Sequence, residues 1–223
     1  MMNVLAVESS TKACSVSLRL GHECFTEFEM APQQHANLML TMVESVLANA
    51  GCDESSIDAL AFSEGPGAFT GIRIAAGVVQ GLALGWSKPV QAVSTLEAMA
   101  WQGFQQTGQS DWVALLDARM HEVYLQTCHI EAGILDSEQA LLLSKQMAHE
   151  KITQAQVKNG IGDIQPVYPE LAGGFGLWLD QYPSAEAIAM IAQQRPNNSY
   201  DLSQQLPMPV YLRNNVADKP KAV

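Results

Sequence analysis

The hydrophobic and polar positions along this chain change period several times, and each change marks an element. Asn3 to Val7 is a short apolar run of the kind a covered strand uses. Cys14, Val16, Leu18 and Leu20 then alternate with Ser15, Ser17 and Arg19, which predicts a second strand with two unlike faces. Gly21-His22 turns into a third strand, Cys24 to Phe28. From Gln34 to Ala50 the period becomes helical and stops at Gly51. Leu38, Met39, Met42, Val43, Val46 and Leu47, with His35 and Ala36, cover more than half of this helix, which is more than one sheet needs.

The stretch from Ala59 to Trp86 carries the strongest pattern. Ala59 to Phe62 predicts a buried strand, Gly65-Pro66-Gly67 a tight turn, and Thr70 a cap for a helix over Gly71 to Leu84. Only Arg73 and Gln80 are clearly polar in that helix, and both fall on one narrow side. Such a helix is packed on two sides, and its own sheet supplies one of them. Gly77, Gly81 and Gly85 form a ridge beside Ile74 and Val78, a groove into which another helix fits closely. A helical glycine costs about 1 kcal/mol relative to alanine, so a packing gain should offset it, from inside this chain or, the preferred reading, from a second one. A membrane span is not expected, because the apolar run is short and interrupted by Arg73 and Gln80.

Pro89 to Val93 predicts a further strand, and Ser94 with Glu97 a capping box opening a helix. Gly103 to Asp111 reads as a polar linker, dividing the chain into lobes of residues 1–105 and 106–223. The second lobe opens on a hairpin, Val113 to Leu116 and Glu122 to Leu125, whose turn carries Asp117 and Arg119, paired with each other or facing a cleft. A helix from Ser137 to His149, a strand over Val157 to Ile164 broken by Gly160 and Gly162, and an extended Gln165 to Tyr168 follow. Ser184 caps a helix with Ile188, Ile191 and Ala192 on one face, Pro209 to Arg213 is a short extended segment before a polar end, and the second lobe's last residues are expected to return to the first lobe. Three meandering strands, a helix and another strand suggest a ribonuclease-H-like half-domain.

Charge and chemistry narrow the function. The net charge is −11, from 12 Lys and Arg against 23 Asp and Glu, with no basic run, so any nucleic acid is reached through a partner. Cys14, Cys24, Cys52 and Cys128 are too scattered for a disulfide frame or a zinc site. The opening Met1-Met2-Asn3-Val4 has no secretory pattern, which points to the cytoplasm. His35 has no second histidine nearby and reads as a packing residue.

Several segments together resemble one family: residues 5–11 (LAVESST) with 13–16 (ACSV), 65–73 (GPGAFTGIR), 94–98 (STLEA), 117–119 (DAR) with 122–124 (EVY), and 211–213 (YLR). The family is TsaB, also called YeaZ, and the pieces occur in its order across nearly the whole chain. The resemblance implies a two-lobed α/β fold of the actin-like ATPase superfamily (ASKHA, ribonuclease-H-like), with mixed sheets flanked by helices. It implies a noncatalytic role in making N6-threonylcarbamoyladenosine in tRNA, beside the catalytic paralogue TsaD and the ATPase TsaE, and homodimers when alone. The partner interface it implies uses Leu38, Met39, Met42, Val46, Gly67, Phe69, Thr70, Ile74, Gly77, Val78, Gly81 and Gly85. Members commonly have Asp at the position of Glu8, and Ser9, Ser10 and Thr11 replace the glycine-containing phosphate loop of actin-like ATPases. No cofactor is expected, and ATP or ADP only in complex with partners. Glu8 and Thr11 are the candidate metal and phosphate contacts if the cleft takes a nucleotide by itself. No serine or cysteine has a defensible His-Asp set, so peptidase chemistry is not expected.

Overall fold

A computed structural model describes residues 1–195, 199–200 and 208–213. The first sheet is built from β1 (Val4–Glu8), β2 (Ala13–Leu20), β3 (Glu23–Met30), β4 (Ala59–Gly65) and β5 (Val90–Ser94), with a short β12 (Ser199–Tyr200) on the far edge. Its order is β12-β5-β4-β1-β2-β3, antiparallel through the opening meander and parallel from β1 through β4 to β5. The second sheet holds β6 (Asp111–Arg119), β7 (Glu122–Glu131), β8 (Ile134–Ser137), β9 (Leu141–Ser144), β10 (Asn159–Gly162) and β11 (Leu177–Asp180). Its order is β11-β10-β6-β7-β8, with β9 also on β7.

The helices complete five layers. α1 (His35–Ala50) and α2 (Phe69–Trp86) cover one face of the first sheet, over Leu5, Val7, Val16, Leu18 and Phe62. α3 (Thr95–Thr107) and α6 (Ala185–Gln194) fill the space between the sheets, against Val4, Ala6, Trp112 and Leu116. α4 (Lys145–Ala155) and α5 (Pro169–Ala172) close the outer face of the second sheet. Strand alternation assigns side chains to layers: Leu5 and Val7 face α1 and α2, whereas Val4 and Ala6 face α6. Ser15 and Ser17, the polar face of β2, are fully buried, and Ser15 Oγ accepts the Ala185 amide at the start of α6 (2.9 Å).

Four sequence expectations are corrected. The helix placed over Ser137 to His149 is instead β8, β9 and then α4, capped by Ser144, whose hydroxyl accepts the Met147 amide. A run of three leucines, Leu141 to Leu143, fits helix and strand equally by period, and pairing with Tyr124 and Val123 on β7 decides for the strand. Gln165 to Tyr168 is a turn in which Val167 and Tyr168 both donate to the Ile164 carbonyl, and the strand lies further on, in β11. Thr70 is not a cap. Ala68 holds the N-cap position with extended backbone, and Thr70 is already in the first turn. The segment Gly103 to Asp111 is also less of a linker than its composition suggests, since α3 continues to Thr107 and ends at Gly108.

Candidate functional site

α2 meets the sheet through Ile72, Ala75, Ala76, Val79 and Ala83, all buried. The opposite side is open. Gly77, Gly81 and Gly85 are exposed, and a Cβ built on any of them meets nothing within 4 Å. Among the described residues the ridge therefore has no internal neighbour, which favours a second chain as its partner. Ile74 and Val78 beside it are half-buried, as is Leu38 on α1, while Phe69 and Thr70 are exposed and Gly67 is half-buried in the preceding turn. Met39, Met42 and Val46 lie underneath, in the core against the sheet, so they support this face without reaching its surface. At 18 residues α2 is long and apolar enough to be considered for a membrane span, but its packed stripe makes it a layer helix of this fold.

The turn before α2 is sealed by the loop after β1. Ser10 accepts the Ala68 amide through its carbonyl (2.6 Å), and Ser9 donates its hydroxyl to the Gly71 carbonyl (2.9 Å). A Cβ at Gly71 would lie 1.8 Å from the Ser9 carbonyl oxygen, and one at Gly67 would lie 2.5 Å from that of Ser10. Protein oxygens thus sit at a helix N-terminus, a place that otherwise suits an anion. Glu8 is fully buried, its Oε1 accepting the Ser10 amide, and it is not on the wall of the interlobe cavity. Burial raises its carboxyl pKa, and the hydrogen bond from the Ser10 amide offsets this only in part. A carboxyl enclosed in this way, away from the cavity wall, is poorly placed to hold a metal in the cleft. His35 is buried too, with Nε2 3.1 Å from the Ala13 carbonyl oxygen.

The interlobe cavity has a volume of about 450 Å³, and Thr11 and Lys12 line one wall and Asp117, Arg119 and Asp163 the other. Asp117 and Arg119 do both things the sequence left open: they pair at 3.1 Å and face the cavity. Asp163 is the residue sequence reasoning missed. It follows β10 directly, at the carboxyl end of a parallel strand, which is the position that would have flagged it. Its Oδ1 accepts the Asp117 amide (3.0 Å), and burial pushes its pKa up to about 6, helped by the Asp117 charge and opposed by that hydrogen bond.

A carboxyl raised in the folded state binds a proton that the unfolded chain has lost by about pH 4. The Asp163 contribution therefore favours folding at low pH and declines as pH rises from about 4 to about 6. Asp163→Asn should flatten this part of a thermal-stability profile; an unchanged slope between pH 4 and 6 would show that another group titrates there.

The family profile of TsaD, tRNA N6-adenosine threonylcarbamoyltransferase, matches residues 29–162. The Escherichia coli tRNA threonylcarbamoyladenosine biosynthesis protein TsaB is 37% identical over 98% of this chain and 97% of its own length. A crystal structure from Pseudomonas aeruginosa, described as an uncharacterized protein with similarity to peptidase YEAZ, superposes with a TM-score of 0.85 at 34% identity, covering 96% of this chain and 100% of that one. Component A of the Acidaminococcus fermentans (R)-2-hydroxyglutaryl-CoA dehydratase shares the fold alone, with a TM-score of 0.50 at 10% identity over 88% of this chain and 100% of its own. The fold of two mixed sheets flanked by helices is shared with these structures, and the chain belongs to the TsaB (YeaZ) family.

Proposed function

We propose that this chain is a noncatalytic subunit in the formation of N6-threonylcarbamoyladenosine in tRNA, docking through its α1–α2 face onto a paralogue of the TsaD type. The ATPase TsaE joins that pair. The observation that carries the reading is the solvent-facing ridge of Gly77, Gly81 and Gly85, flanked by half-buried Ile74, Val78 and Leu38, in a chain of the TsaB family. A helix approaches a glycine ridge more closely than any other helical surface, which maximises van der Waals contact. In isolation the same face pairs two copies of the chain. With a net charge of −11, the chain reaches tRNA only through the paralogue, and the assembly works in the cytoplasm.

The test is copurification with the paralogue, followed by tRNA modification with and without this chain. Stable capture together with modification that requires the chain supports the reading; modification at full rate without it removes the role. A second reading rests on the cavity of about 450 Å³ at the lobe junction, large enough for a nucleotide, with Thr11 on its wall. It makes the chain an independent ATPase or kinase-like protein. Calorimetry with Mg-ATP on the isolated chain separates the two: the first reading expects no heat at high micromolar protein, with ATP or ADP entering only in the assembly.

A further inference from the structure

Residues 208–213 run along the junction of the two lobes and touch both. On the first lobe, the Val210 amide donates to the Glu64 carbonyl at the end of β4 (2.7 Å), and Arg73 Nε on α2 donates to the Tyr211 hydroxyl (2.8 Å). The Arg73 guanidinium lies 3.7 Å from the Phe69 ring centre and 5.5 Å from that of Tyr211, and the two rings are tilted at 42°, so the three groups form one cation–π cluster. On the second lobe, Arg213 Nη2 donates to the carbonyls of Ala118 (3.0 Å) and Arg119 (3.4 Å) and pairs with Glu122. The turn it grips is unusual. Arg119, Met120 and His121 all have positive φ, at 62°, 52° and 62°, a conformation that non-glycine residues rarely hold in succession. Between these anchors Leu212 packs against the apolar layer shared by the sheets. Val210 and Leu212 line the interlobe cavity on one side and, on the other, a second cavity of about 280 Å³ bordered by Glu64, Glu97 and Arg195.

We propose that residues 209–213 are a strap that latches the two lobes at a fixed angle and keeps two cavities apart that are otherwise one interlobe groove. The anchors are short-range polar contacts and one aromatic cluster at the rim, with only Pro209 buried and Leu212 half-buried inside. That composition suits a contact that opens without unfolding either lobe. It also joins the N-terminal turn of α2 to the strained β6–β7 turn, so release at one lobe frees the other.

Two cysteines provide the test. Cys128 on β7 is buried in the layer between the sheets, whereas Cys14 on β2 is buried on the far side of the first sheet, beneath α1 and α2. Opening of the lobes exposes Cys128 and spares Cys14; global unfolding exposes both. Thiol labelling of the full-length chain, resolved by peptide mass, is compared for the wild type, Arg213→Ala and Tyr211→Phe, the last removing a single hydroxyl. Labelling of Cys128 at least about tenfold faster in Arg213→Ala, with an intermediate rate in Tyr211→Phe and Cys14 unchanged, is the expected result. Unchanged Cys128 rates in both variants, or equal acceleration of the two cysteines, would overturn the latch.

Discussion

Gly71→Ala should lower the stability of the fold by about 3 kcal/mol or more, a drop of roughly 6–12 °C in Tm for a chain of this size. The added Cβ would lie 1.8 Å from the carbonyl oxygen of Ser9, a backbone atom that cannot rotate away. Relief requires the loop after β1 to retreat from the α2 N-terminus. That movement breaks the Ser9 hydroxyl bond to the Gly71 carbonyl and the Ala68 amide bond to Ser10, and it loosens the cap over buried Glu8. Gly77→Ala, six residues on in the same helix, is the matched control. Nothing lies within 4 Å of its added methyl, so the usual helix preference applies and the variant should gain about 1 kcal/mol. Thermal unfolding of the two variants checks both signs, and equal Tm values would refute the close approach at Gly71.

Gly81→Leu should weaken association with the paralogue at least about a hundredfold, close to 3 kcal/mol, while the monomer remains folded. The monomer has room for the leucine, since a Cβ at Gly81 meets no atom of the described residues within 4 Å. A helix seated on the ridge does not, because a leucine there holds the two backbones apart along the length of contact. Sedimentation velocity of the mixed proteins measures the effect, with the variant's own Tm as control. Val78→Asp should act in the same direction, at some cost to the monomer because Val78 is half-buried. Undiminished association of Gly81→Leu would sink the docking role of α2.

Much of this was legible along the chain, and the exceptions have a common cause. The glycine ridge could be read from a spacing of four residues, because helical periodicity alone puts those positions on one side. Which side faced water could not. On α1, apolar positions cover more than half the circumference, and Met39, Met42 and Val46 proved to be the part facing the sheet. Periodicity orders residues around a helix but does not orient the helix in the fold. The short apolar runs of the second lobe were ambiguous for a related reason: Leu141 to Leu143 satisfies a helix or a strand, and only the neighbour β7 selects one. Ser15 and Ser17 show the same limit for strands, since their polar face is covered by a helix from the far end of the chain.

The sequence by itself determined the class of fold, the order of elements in the first lobe, the turn before α2 and the glycine ridge. These depend on local propensity and on periods of two and 3.6 residues, which are written in consecutive positions. Only the tertiary structure decided that the ridge is open, that Ser9 and Ser10 seal the α2 N-terminus, that Asp163 joins Asp117 at the cavity, and that residues 208–213 bridge the lobes. The last three are meetings of segments dozens to more than a hundred residues apart. Burial and close approach are properties of such pairs, and no stretch of consecutive residues encodes them alone.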